Sequence, residues 1–456
     1  MQLHPLDNVE VLDDKHKYAL TDIEKGQNIV KYGFPIGHAT RNITKGEKVD
    51  PSNLRSNLEG RGGWEYTPFT HERQSVKQMS FMGYARQNGQ VGIRNELWIV
   101  PTVGCVNGIA RTLAQKGNAK ALCHPFGCSQ LGGDHETTMK ILRGLVKHPN
   151  AGGVLVLGLG CENNGIDTFR KFLGDYDAER VRFLNVQDCT DETQEGLAIL
   201  QQLRTLMDDD VRTPIPLSKL RIAVKCGGSD AYSGITANPV VGHVADLFYE
   251  YDATILMSEI PEVFGAEQVL LARSVNRETF DKTAHMIQAF RQYFIDHGEG
   301  IADNPSPGNI AGGISTLEEK SLGCVQKAGR LPLCGALNFG ETPEGSGLYM
   351  VNGPGNDMVA VTTLAASGAH MILFTTGRGT PLCGPVPTIK IATNTPLFEN
   401  KQHWIDFNAG VALGGDMAAV SKDLFDLCLQ TAEGKSTVGE QYGYQDIAIF
   451  KNGITL

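Results

Sequence analysis

Apolar runs of strand length, each broken by glycine or a turn and followed at once by thiols, carboxylates or amides, recur through most of this chain. Leu97–Val103 leads into Gly104-Cys105, and Val154–Leu159 into Gly160-Cys161-Glu162. Leu220–Val224 leads to Cys226 and Asp230, Ala253–Met257 to Glu259 and Glu262, and Met371–Phe374 to Gly377-Arg378. Helical patterns lie between, such as Thr190–Met207 with leucines at 197, 200, 203 and 206. Apolar strands alternating with helices suit a sheet covered on both faces. The chain therefore reads as α/β, with mostly parallel sheet lobes and flanking helices. Parallel strands put their ends on one edge, so these reactive side chains are expected to face one pocket.

Residues 1–60 differ. Short alternating runs and two related turn phrases, Asp22–Gly26 and Asn42–Gly46, predict a small β module. Residues 61–80 read as a linker that docks Trp64, Tyr66 and Phe69 on a neighbouring surface. One α/β lobe is expected over 81–215 and a second over 216–456. The Pro- and Gly-rich stretch Asn304–Ser315 is too broken for helix or central strand.

Composition narrows the function. The net charge is −10 with no basic stripe, which argues against a nucleic-acid partner. No apolar run reaches the ~18 residues of a membrane span, and the opening MQLHPLDNVEVLDD is polar and acidic, so no membrane role and a cytoplasmic location are expected. The ten cysteines form no CxxC pair, and in a reducing compartment they read as thiols or metal ligands.

Several constellations could carry chemistry. His124 and Cys128 stand four apart with Asp134-His135 close by, a spacing compatible with a metal but matching no zinc signature. Glycine turns at Gly353–Asp357 and Gly377–Gly379 could bind carboxylate through backbone N–H groups, with Arg378 beside the second. Arg86 and Arg94 flank another glycine turn. No nucleotide-binding glycine motif is present. Each residue also has a plain reading: a satisfied core histidine, a buried thiol in a small-residue turn, a surface arginine.

The phrases GYARQNGQVGIRN (83–95), GLGCENN (158–164), KCGGSDAYSGITANP (225–239), SEIPEVFGAE (258–267), NPSPGNIAGGISTLEEKSLG (304–323), GPGNDMVAVT (353–362) and LFTTGRGTP (373–381) together resemble the altronate/galactarate dehydratase family. HKYAL (16–20) and IVKYGFPIGHAT (29–40) resemble its small β-clip, SAF-type, domain. The resemblance implies a hydro-lyase that dehydrates a small-molecule sugar acid to a 2-keto-3-deoxy acid, altronate being the nearest match and galactarate the alternative. It implies a divalent metal, Fe(II) first with Mn or Mg as alternatives, and no iron–sulfur cluster. On that footing His16, Cys128 and Glu162 are assigned to the metal. His16, His124, His135 and Glu162 are assigned to catalysis, and Arg94, Asn163, Asp230, Asn352 and Arg378 to substrate. A sulfolactate sulfo-lyase-like activity on the same scaffold and a non-catalytic sugar-acid binder are the competing readings. The tether-like linker allows a homo-oligomer.

Two departures stand out. Only Asp13-Asp14-Lys15 separates Leu12 from His16, where the family has a longer β-insertion, and the family's VHxHN phrase reads Val49-Asp-Pro-Ser-Asn53. Asp50 in place of a histidine would favour a harder ion such as Mg or Mn.

Overall fold

The computed structural model describes residues 3–58, 63–71, 75–301 and 304–456. The small N-terminal module is two three-stranded antiparallel sheets. Val9–Val11, Lys17–Ala19 and Lys48–Val49 form one; Asn28–Lys31, Phe34–Ala39 and Leu54–Arg55 form the other. The two turn phrases are related as the sequence suggests. Ile23 bridges Ile43, Asp22 accepts from the Lys45 amide and Asn42 from the Lys25 amide. Gly26 and Gly46 take φ of 84° and 80°, which admits glycine readily and other residues with strain.

Of the expected linker, residues 61–62 and 72–74 lie outside the described residues. Trp64 and Tyr66 pack on the main hydrophobic core, with Arg291 over the Trp64 ring at 5.2 Å and the Tyr66 ring 5.6 Å from Phe280. Phe69 stacks instead on His71, which leans on Tyr249.

The remainder is α/β. Four parallel strands run in the order Lys120–Ala121, Glu96–Pro101, Ala151–Gly158, Val181–Asn185. Seven more form a second parallel sheet: Leu333–Leu337, Gly347–Val351, Thr254–Met257, Arg221–Cys226, Met371–Thr376, Thr388–Ala392, Phe407–Asn408. A third, antiparallel sheet joins Thr213–Pro216, Ser80–Ala85 and Val91–Gly92. The glycine turn between the arginines is thus a hairpin.

The central strands are buried along most of their length, which is why their sequences are continuous apolar runs. The two parallel sheets share a core in which Trp98 and Val156 cluster with Ala223, Leu256 and Phe374. Helices Gly132–Val146 and Asp357–Ala366 meet there. A Cβ at Gly144 would lie 2.1 Å from the Ala366 carbonyl oxygen, so only glycine permits that approach.

This layout corrects one expectation. The reactive strand ends divide between two sheets and therefore between two edges, rather than sharing one.

Candidate active site

Arg221–Cys226 lies mid-sheet, with the next strand in sequence, Thr254–Met257, on one side and Met371–Thr376 on the other. Connections depart in opposite directions at this point, which opens a crevice at the carboxyl ends. Cys226 ends the first of these strands. Glu259 follows the second at φ 71°, a backbone state costly for a residue with a Cβ and held here by its side-chain bonds. Glu262 lies in the next turn, and Cys324 ends helix Leu317–Cys324.

Ligand atoms of Cys226, Glu259, Glu262 and Cys324 lie within 4.8 Å of one another, and all four residues are buried. The two sulfurs are 3.8 Å apart and Cys226 Sγ is 3.5 Å from Glu262 Oε2. Such separations suit donors around a single ion. A cation is already there, however. Lys327 Nζ stands 2.8 Å from Cys324 Sγ, 3.1 Å from Cys226 Sγ and 2.7 Å from Glu259 Oε2. Lys225 pairs with Glu259 and, at 2.8 Å, with Asp357, while Lys320 bonds Glu262 Oε1 at 2.8 Å.

The charges follow from burial and partners. The Cys226 thiol is pushed well up by its bond to Cys324 and by burial. Burial opposes the Lys327 ammonium, but the attraction of negative charge at Cys226, Cys324 and Glu259 outweighs it and holds the group protonated. Burial would raise Glu262; Lys320, then Lys225 and Lys327, lower it. Three ammonium groups thus face three carboxylates around the two sulfurs. The donors are those of a metal site, but as folded they fit Lys327, and an ion would enter only by expelling it.

Beside this cluster Asp230 is buried. It accepts from Thr393 at 3.0 Å, from Asn394 at 3.3 Å and from the Tyr232 amide at 3.1 Å, and pairs with Lys15 of the small module at 2.8 Å. Arg378 is exposed and donates at 3.2 Å to Gly308 O. Gly308 lies in a short helix, Pro307–Ala311, which corrects the expectation that the Pro- and Gly-rich stretch holds no helix, because its proline sits in the first turn and Ser306 caps it. Asn352 follows strand Gly347–Val351, with its Oδ1 buried and unpartnered. The cavity reaching Cys226, Asp230 and Asn238 has only about 10 Å³, the room of one water. A larger crevice of about 360 Å³ opens between the small module and the Pro-Gly loop, lined by His16, Lys48, Asp50, Ile310, Gly313 and Ser315. Asp50 Oδ1 is engaged there by the amide and hydroxyl of Ser52 at 2.9 and 2.6 Å.

The other expected residues gather at the edge of the four-stranded sheet. Glu162 accepts from Thr102 Oγ1 at 2.7 Å and from the amides of Leu159 and Gly160 at 3.1 and 2.7 Å, which lower its pKa against the effect of burial. Asn163 bonds the Ser129 amide. Buried His124 bonds Pro101 O at 2.8 Å, and burial pushes its pKa down to about 4. His135 Nε2 is buried without a partner, and Cys128 is exposed. His16, Cys128 and Glu162 do not converge as donors to a single ion. Arg94 stands apart from both edges. Its guanidinium is saturated by Glu440 at 2.7 and 3.0 Å and by the carbonyls of Ile93, Thr431 and Lys435.

Sequence reasoning missed the lysines. Lys225 inside an apolar strand and Lys327 after EEKSLGC carried the signal, because a charge in a stretch buried on both faces must be paired.

Comparison with known proteins completes the description. The profile described as "D-galactarate/Altronate dehydratase, C-terminal" matches residues 217–455. "D-galactarate dehydratase/Altronate hydrolase, second domain" matches 83–208, and "Altronate/galactarate dehydratase SAF domain" matches 1–57. Altronate dehydratase of Bacillus subtilis (strain 168) is 47% identical over 466 residues, covering 98% of this chain and 94% of that protein. Altronate dehydratase of Escherichia coli (strain K12) is 48% identical over 454 residues, covering 97% and 92%. Galactarate dehydratase (L-threo-forming) of the same strain is 32% identical over 477 residues, covering 98% and 91%. With all three profiles in order along it and relatives this similar end to end, the chain belongs to the altronate/galactarate dehydratase family and is a hydro-lyase acting on a sugar acid.

Proposed function

We propose that this enzyme removes water from a six-carbon sugar acid, altronate in preference to galactarate, to give a 2-keto-3-deoxy acid. The observation that carries the preference is the identity of 47–48% with altronate dehydratases against 32% with a galactarate dehydratase. The crevice between the small module and the Pro-Gly loop has the volume of a small-ligand site.

In this reading the C2 proton passes to a base, the C3 hydroxyl leaves as water with a proton, and the enol so formed becomes the 2-keto acid. In this reading His16, which lines that crevice, carries a proton, Lys48 beside it supplies positive charge for a carboxylate, and Arg378, outside the crevice on Gly308, adds to that charge. The proton α to a carboxylate is very weakly acidic, and a bound metal, Fe(II) in this reading, would stabilise the enediolate by several kcal/mol. The Cys226 group cannot be its seat while Lys327 stays among its donors.

The test offers altronate, galactarate and sulfolactate to protein prepared without oxygen and supplied with Fe(II), Mn(II) or Mg(II). Keto-acid formation at least tenfold more efficient from altronate than from galactarate is expected. No keto acid from either, or sulfite release from sulfolactate alone, overturns the reading.

A further inference from the structure

Cysteine is among the most buried residue types, yet three of the ten here are exposed, and all three sit on one edge of the four-stranded sheet. Cys105 follows strand Glu96–Pro101, Cys128 lies on the loop after Lys120–Ala121, and Cys161 follows Ala151–Gly158. Each is preceded by glycine.

The three loops are laced together. The Gly104 amide donates to Phe126 O at 2.8 Å, the Asn164 amide to Gly127 O at 3.1 Å, and the Ser129 amide to Asn163 Oδ1 at 2.9 Å. Gly127 packs so tightly that a Cβ would lie 2.0 Å from Thr102 O. The thiols are therefore carried on a fixed frame.

Electrostatics favours an anion at this edge. Helices Asn107–Gly117, Gly132–Val146 and Ile166–Leu173 each begin within a few residues of one of the cysteines, and none has a side-chain N-cap. Their first amides add partial positive charge, which lowers the cost of forming thiolate. Gln130 and Asn164, 3% and 0% exposed, each keep one side-chain polar atom without a partner among these loops. The thiols do not meet as donors to a single ion do; among the described residues that convergence occurs at Cys226, Glu259, Glu262 and Cys324. Ligands to different irons of one cluster stand farther apart.

Although the family resemblance implies no iron–sulfur cluster, we infer from this edge that Cys105, Cys128 and Cys161 hold one. Assembly from two ferrous ions, two ferric ions and four sulfides gives a four-iron core of charge 2+ with no further oxidant, and each thiol gives up its proton on ligation. A four-iron cluster held by three thiolates keeps one iron without a protein ligand, open to an oxygen donor. Its use as the Lewis acid of dehydration rests on the function proposed above; the binding site does not.

Reconstitution of the full chain without oxygen, using equal amounts of Fe(II) and Fe(III) with sulfide, tests the site. Expected are about four irons and four sulfides per chain, a broad visible charge-transfer band, and an electron paramagnetic resonance signal on reduction. Cys105→Ser, Cys128→Ser and Cys161→Ser should each lose most of the iron and the band while keeping the circular dichroism of the parent, and Cys334→Ser should keep both. A colourless protein, a cluster retained in all three variants, or a single zinc bound in its place overturns the inference. A cluster without sugar-acid turnover would sink the proposed function alone, and turnover by protein that holds no cluster would sink only the cluster's part in dehydration.

Discussion

The ammonium of Lys327 lies 2.7 Å from a carboxylate oxygen of Glu259, and both side chains are completely withdrawn from solvent. A buried pair of this kind is balanced only while both partners remain. Removing one leaves a charge stranded, at a cost of about 3–5 kcal/mol. Lys327→Met is therefore expected to lower the urea midpoint by an amount corresponding to that range, with m unchanged. A loss under about 1 kcal/mol would show that Lys225, its other buried partner, satisfies Glu259 alone.

The same residue decides whether the four donors can take an ion. Lys327→Ala leaves two thiols and two carboxylates around the space its ammonium filled. Co(II) titration of this variant is expected to give a sulfur-to-metal charge-transfer band that the parent lacks. An equal band in both proteins would mean that Lys327 yields to metal unaided.

Much of this was legible in sequence, for definable reasons. The parallel strands show as apolar runs because both faces are covered, and Gly26 and Gly46 mark turns of the small antiparallel module through the conformation that glycine allows. What sequence does not encode is which strand ends share an edge. Glu162 and Cys226 look alike on paper as polar residues at strand ends, but hydrogen bonding between strands sends them to different sheets. The lysine cluster stayed hidden because Lys225, Lys320 and Lys327 find their partners far along the chain at Glu259, Glu262 and Asp357.

Arg94 was expected on substrate, but all its donors are spent on Glu440 and three carbonyls. Arg94→Ala should lower stability by about 3–5 kcal/mol and leave KM unchanged in whatever fraction folds at low temperature. A KM raised tenfold with an unchanged Tm would instead put the guanidinium on the substrate.

Docking of the small module should weaken in acid. Lys17 and Lys31 of the module meet Glu319 of the large lobe at 2.9 and 2.7 Å. Burial alone would raise this carboxyl, but the two lysines hold it down at about 2. Its folded pKa lies below the ordinary value of 4.5, so its stabilisation is complete above 4.5 and is lost as pH falls toward 2. Hydrogen exchange in strand Asn28–Lys31 should accelerate across that window relative to strand Ala151–Gly158. In Glu319→Gln it should already be fast at neutral pH, and equal protection in parent and variant at pH 7 would refute the coupling.

His124 should act in a higher window. Burial holds the imidazole neutral, with a pKa near 4 against an ordinary 6.5, so the unfolded chain takes up the proton first. Stability from this group is complete above 6.5 and is lost as pH falls to about 4, to the extent of roughly 3 kcal/mol. The urea midpoint of the parent should slope downward across that interval and flatten in His124→Asn. An unchanged slope would mean that another group titrates there. A histidine kept neutral in this way is also unsuited to carry a proton at neutral pH, so the pH–rate profile is expected to owe nothing to it.

The crevice at His16 allows a direct test of the altered VHxHN phrase. Asp50 and Ser52 stand where that phrase has histidines, and both line the crevice with His16. Asp50 is occupied in holding its own turn through Ser52, which leaves His16 without a second imidazole. Installing both histidines removes that turn bond and brings three imidazoles to one opening, a donor set that borderline transition ions prefer to Mg(II). The double variant Asp50→His/Ser52→His is therefore expected to bind Zn(II) or Ni(II) at least tenfold more tightly than the parent by isothermal titration, and His16→Ala in that background should abolish the gain. If the double variant gains nothing, the three positions line the crevice without aiming at a common point.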